Sequence, residues 1–199
     1  MATEAARRAR LFDQVVGDLT DGRVTAGETR YPVLTGTHLG HPVRVAAVVD
    51  SLLTRTLPTL LLVVVHSRPF PLGAALDALA RPTGTEFYSP NASFAHQVPT
   101  PPDFPVHARI ATMRPLRVPP PLLDTIGSLL SDVKVKEVLV GPVGARITYR
   151  LVVADQSAYR SARRADFGFP QVTPAVLAEL LTGLRVVGEA LTAVEEASA

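Results

Sequence analysis

The chain has 199 residues, with 20 basic and 18 acidic side chains, 18 prolines and no cysteine. An apolar share of 47% with only 19% charged residues excludes a disordered, collagen-like or disulfide-rich secreted chain. A net charge of +2 excludes strong non-specific attraction to nucleic acid or anionic lipid, and the missing cysteines exclude a thiol nucleophile, an Fe–S cluster and a zinc ribbon.

The first segment predicts a helix over about 4–19. Leu11, Phe12, Val15, Val16 and Leu19 recur at three- and four-residue spacing, with Arg7, Arg8 and Arg10 on a solvated face and Asp21-Gly22 as the break. The charged first twenty residues hold no apolar core of a signal peptide, so the expectation is a soluble, cytoplasmic protein. From Arg30 to Asp50 the period changes to two, which predicts a hairpin turning at Leu39-Gly40-His41. Leu60 to Val65 is continuously apolar, the pattern of a strand buried on both faces in the middle of a sheet.

Leu72 to Ala80 reads as a short helix with Leu72, Ala75, Leu76 and Leu79 on its apolar side. Residues 81–105 form an irregular Pro-rich excursion, carrying six of the prolines together with Phe87, Tyr88, Phe94 and Phe104. Four aromatics are too many for a linker, so an ordered loop is expected, with a brief strand at Glu86-Phe87-Tyr88. Val106 to Ala111 predicts a strand. Leu122 to Leu130 predicts a helix whose first turn accepts prolines because no N–H partner is lost there. Lys136 to Val140 and Arg146 to Val153 predict a second hairpin, and Asp155 to Gly168 an arginine-rich polar loop. Thr173-Pro174 opens a last helix to about Glu195, with Leu177, Leu180, Leu181, Leu184, Val187, Leu191 and Val194 as its stripe. The expected fold is a single α+β domain over 1–199: a mainly antiparallel sheet of about six strands packed by N-terminal, central and long C-terminal helices.

Chemistry-bearing residues are sparse. His38 and His41 are three apart, but across a turn, and Glu28, Asp50 and His66 nearby give no metal-ligand spacing, so neither a metal nor a cofactor is expected. Catalytic candidates are His66 at a strand end, and Asp103 four residues before His107, as a base and its orienting acid. No Gly-x-Ser-x-Gly elbow supplies a nucleophile, and no glycine-rich loop precedes a helix. Arg160, Arg163 and Arg164, flanked by Tyr159 and Phe167, are a diluted version of a nucleic-acid-tracking stripe.

The leading expectation is a non-catalytic binding domain for a protein or a small apolar ligand. Phe87, Tyr88 and Phe94 are its binding residues, since long ordered loops often carry function. The alternative is a hydrolase-like or transferase-like enzyme using a His/Asp pair, and the third reading is nucleic-acid binding through Arg160, Arg163 and Arg164. Val186 beside Val187 widens the last helix's apolar arc enough for a homodimer contact.

Overall fold

The structure is a computed structural model that describes residues 3–51, 57–84 and 86–196, the last four as helix backbone alone. Its centre is one antiparallel sheet of nine strands. These are β1 (Thr20–Ala26), β2 (Pro32–His38), β3 (His41–Asp50), β4 (Thr59–His66), β5 (Leu76–Ala80), β6 (His96–Val98), β7 (Ala108–Thr112), β8 (Val135–Gly141) and β9 (Gly144–Val153). Their order across the sheet is β1-β2-β3-β4-β9-β8-β5-β7-β6. The helices are α1 (Glu4–Ala9), α2 (Pro120–Ser131), α3 (Gln156–Ala162) and α4 (Pro174–Glu196).

Both expected hairpins form. The β2–β3 turn is the two residues Leu39 and Gly40, with φ of 50° and 77°. Positive φ at both positions matches the right-handed twist of the flanking strands. The β8–β9 hairpin closes as Gly141 pairs with Gly144. β4 sits in the sheet interior between β3 and β9, as its apolar run predicts.

Side-chain alternation splits the sheet into two faces. Val45, Ala47, Leu60, Leu62, Val64, Ala78, Val138 and Ile147 join one core with α2, α4 and the segment Leu11–Val15. α2 and α4 pack against each other, with α2 on β8 and α4 on β4 and β9. Pro119 precedes α2 and Pro120 opens it, where a missing N–H costs nothing. The opposite face carries Arg44, Ala46, Val48, Leu61, Val63, Asp77, Glu137, Leu139, Arg146 and Thr148. Asp77, Glu137 and Thr148 are nevertheless fully buried, because residues 88–91 fold onto that face.

Several expectations need correction. The sheet has nine strands, not about six, because β1, β5 and β6 were not expected. β5 replaces the helix expected over Leu72 to Ala80. All five of its residues are buried, so no alternation marks it, and pairing with both β7 and β8 overrides the helix preference of its alanines and leucines. β1 is an edge strand of polar residues with a register shift between Thr20 and Arg23 and φ of 53° at Asp21, so it shows no apolar signal. The first helix ends at Ala9 rather than about Leu19. Leu11, Phe12, Val15 and Leu19 are all buried, but from turns and a short 3-10 segment at Val16–Asp18.

Glu86-Phe87-Tyr88 is not a strand. The excursion's regular pieces are a 3-10 turn at Asn91–Ser93 and the strand β6. The polar loop contains α3, opened by the Asp155 carboxylate accepting from the Ala158 N–H and closed by Arg163 at φ 52°. α4 runs as expected, although Val194 of its stripe lies outside the described side chains.

Candidate functional site

A groove opens at the end of the sheet where β3 finishes. Its lining comes from α1 (Glu4, Arg8), the approach to β2 (Thr29, Arg30, Tyr31), β3 (Val48, Val49), the excursion (Phe87) and the segment after α3 (Arg164, Ala165, Phe167). Its volume is about 680 Å³, within the several-hundred Å³ range usual for small-ligand sites. A smaller recess of about 300 Å³ continues it along the helix-free face, over Val33, Ala46 and Val63 and beneath Phe87 and Tyr88.

The floor is apolar because β3 and β4 present valines and alanine there. Phe87 stands 49% exposed as a wall and meets Tyr88 edge-on at 5.9 Å between ring centroids. The mouth is basic. Arg8 lies over the Tyr31 ring, 5.3 Å from its centroid, and its side chain is only 19% exposed. Glu4 accepts from Arg8 on one carboxylate oxygen and from Arg164 on the other. Tyr31 is buried, and burial pushes its hydroxyl pKa up while Arg8 opposes. The groove thus joins an apolar trough to a mouth lined by guanidiniums.

A second polar cluster lies under the excursion. Asp77 on β5 and Glu137 on β8 are diagonal neighbours on the helix-free face, since Asp77 pairs with Leu139 and Leu79 with Glu137. Arg146 on β9 donates to both Glu137 oxygens, at 3.1 and 2.8 Å, and to the Tyr88 carbonyl at 3.2 Å. The Thr148 hydroxyl donates to Glu137 at 2.6 Å, and Ser89 donates to Asp77 Oδ2 at 2.7 Å. Buried Asn91 donates to the carbonyls of Asp77 and Arg109, both at 3.1 Å, and accepts from Arg109 Nε.

Among the described residues no N–H or O–H reaches buried Asp77 Oδ1. When Asp77 is protonated, its hydroxyl can donate to neighbouring Glu137. Burial first, and then the charge of Glu137, push the Asp77 pKa up to about 7. This cluster fastens residues 88–91 to the sheet and so fixes Phe87 as a groove wall. At the other end of the excursion, Arg81 donates to the Leu130, Asp132 and Val135 carbonyls and closes the C-terminus of α2.

The residues singled out in the sequence fall in separate places. Phe87 and Tyr88 line the groove and its recess, whereas Phe94 follows the Asn91–Ser93 turn and does not line them. Arg164 reaches the groove mouth. Arg163 instead turns over the Tyr159 ring at 5.7 Å, and Arg160 is exposed on α3. His66 is buried at the end of β4, with its ring 6.3 Å from His38 and 5.4 Å from His41, and burial lowers its pKa. Asp103 and His107 are exposed beside β7, four strand spacings or roughly 19 Å across the sheet from β4, so they are not brought to His66. Among the described residues no three His, Cys, Asp or Glu side chains are grouped to hold a metal ion.

Glu4 and Arg8 are one helical turn apart in the sequence, but Tyr31 and Arg164 reach them only through the tertiary fold, so no local pattern marks the group. Asp77 and Glu137 did leave a signal, each being a single acid inside an apolar strand run. No helix of the described residues is long and apolar enough to cross a membrane.

No protein-family model and no curated protein sequence matches the chain. Among solved structures it is similar to the mycobacterial trehalose monomycolate transport factor A, TtfA, at 10% identity and a TM-score of 0.42, over 89% of this chain and 77% of that one.

Proposed function

We propose that this protein is a non-catalytic binding domain that holds a small apolar ligand in the groove between Tyr31, Val48, Phe87 and Phe167. The supporting observation is that groove itself, a concavity of about 680 Å³ with a valine floor and aromatic walls. Concavity favours a small ligand over a protein partner, because protein interfaces are broad and comparatively flat whereas small molecules are taken up by clefts. The aromatic walls also rest on fixed elements: Tyr31 is buried beside β2, and the residues following Phe87 are hydrogen-bonded to β5 and β9. A pre-formed trough loses little ordering entropy when a ligand enters.

The test uses the neutral apolar fluorophore N-phenyl-1-naphthylamine. The chain has no tryptophan to interfere with its emission. Saturable fluorescence enhancement is expected with the wild-type protein. Phe87→Ala and Val48→Glu should each weaken it at least about fivefold, a loss of roughly 1 kcal/mol of binding, with cooperative unfolding retained. Absent saturation, or equal affinity in both variants, would overturn the reading.

A further inference from the structure

Resting on that reading, we infer that the groove's occupant is a single-chain amphiphile with a carboxylate head, seated between Arg8 and Arg164 with its tail over Val48 and Val49. The structure already holds a carboxylate in that seat. Glu4 sits between the two guanidiniums, taking one donor on each oxygen. Glu4 opens a six-residue helix that buries none of its residues and is anchored through Arg7 on Phe169 and Arg8 on Tyr31, so the Glu4 carboxylate itself is held only by these two guanidiniums. It is a tethered stand-in that a free carboxylate can displace without dismantling any of the core.

The receiving cations differ from ordinary surface arginines. Arg8 rests on the Tyr31 ring and is largely shielded, so its fork is oriented before any ligand arrives. Arg164 is 60% exposed and closes the seat from the other side. Arg30 lines the same groove, and Arg7 lines a second, smaller hollow of about 170 Å³ that shares Glu4, Arg8 and Arg164 with the groove and adds Asp166. With Glu4 displaced, those linings hold four guanidiniums against one carboxylate. That excess calls for an anion, and the planar forks match a carboxylate in two-donor geometry. Directly inward from the seat the lining turns to Val48, Val49, Phe87 and Phe167, which offers the tail an apolar path. A hydrophilic anion would leave that path unused, and a neutral lipid would leave the cations unmatched.

Displacement of bound N-phenyl-1-naphthylamine by sodium dodecanoate and by 1-dodecanol separates head from tail. For the wild-type protein in low salt, dodecanoate should displace the probe at a concentration at least about tenfold lower than dodecanol. Arg164→Gln, at an exposed position, and Arg8→Gln should each bring that ratio close to one. Glu4→Gln should raise it, since the competing carboxylate is gone. Sodium acetate, the head without a tail, should displace nothing at millimolar concentration.

Equal displacement by dodecanoate and dodecanol in all four proteins would overturn this inference and leave the apolar-groove reading standing. A probe that never binds the wild-type protein would overturn both. If Arg8→Gln fails to fold, the Arg164→Gln ratio decides: a ratio unchanged from wild type sinks the two-arginine seat.

Discussion

At the groove mouth one carboxylate, Glu4, lies between two guanidiniums, Arg8 and Arg164. Under the excursion two carboxylates, Asp77 and Glu137, share one, Arg146. The ingredients are the same, but the proportions and the burial are opposite. In the first, Glu4 and Arg164 are 45% and 60% exposed and the cations are in excess, the conditions the proposed anion exchange needs. In the second both carboxylates are fully buried and outnumber the one guanidinium, so Asp77 holds a proton up to about pH 7. A carboxylate–guanidinium pair is therefore a binding seat or a fastening according to its stoichiometry and its exposure, not its residue types.

Removing the single cation of the buried cluster should have the largest effect. Arg146→Met leaves Glu137 and Asp77 buried without a counter-charge and should cost about 3–5 kcal/mol of stability, read by urea denaturation. A loss below about 1 kcal/mol would show that water reaches the pair and that the two clusters do not differ in kind.

Next comes the pH dependence of the same cluster. The Asp77 pKa is raised from 3.8 to about 7 in the folded protein, so the folded state holds a proton that the unfolded chain has released. Its contribution is fully present below pH 3.8 and is lost as pH rises through about 7. Wild-type stability should fall across that window by something on the order of 1–4 kcal/mol. Asp77→Asn should flatten the profile and be the more stable form above pH 7, because a carboxamide can donate to Glu137 permanently. A flat wild-type profile would contradict the shared proton.

A smaller effect is expected at the fastening itself. Ser89→Ala removes a hydrogen bond to Asp77 and should cost about 1 kcal/mol, read by thermal melting. The smallest belongs to the open cluster, where Arg164→Gln should change stability by under about 0.5 kcal/mol. A much larger change would make Glu4–Arg164 a structural clasp rather than an exchangeable seat.

Several regular parts were readable in the sequence from their period, although Leu11–Leu19 keeps a helical spacing without forming a helix. The β2–β3 and β8–β9 hairpins and α4 carry unambiguous periods, and each forms. Leu76–Ala80 defeats the same rule because both its faces are covered and, unlike β4, it holds no β-branched residue, and Thr20–Ala26 defeats it because neither face is covered. Phe87 and Tyr88 stood out as aromatics in an irregular stretch, and Arg164 as one of a cluster. What no pattern contains is that residues 77 positions apart line one groove, or that Glu4 bridges Arg164 across 160 positions. Those meetings are set by strand order, which depends on long-range pairing rather than on local preference.

The placement of an amphiphile in the groove is tested most directly by a methyl-resolved NMR titration of the wild-type protein with sodium dodecanoate. The valine methyls of Val48 and Val49 should shift saturably. Those of Val65 and Val143, which line a separate apolar shelf of about 530 Å³, should stay in place. Shifts confined to Val65 and Val143, or no saturable shift at Val48, would contradict it.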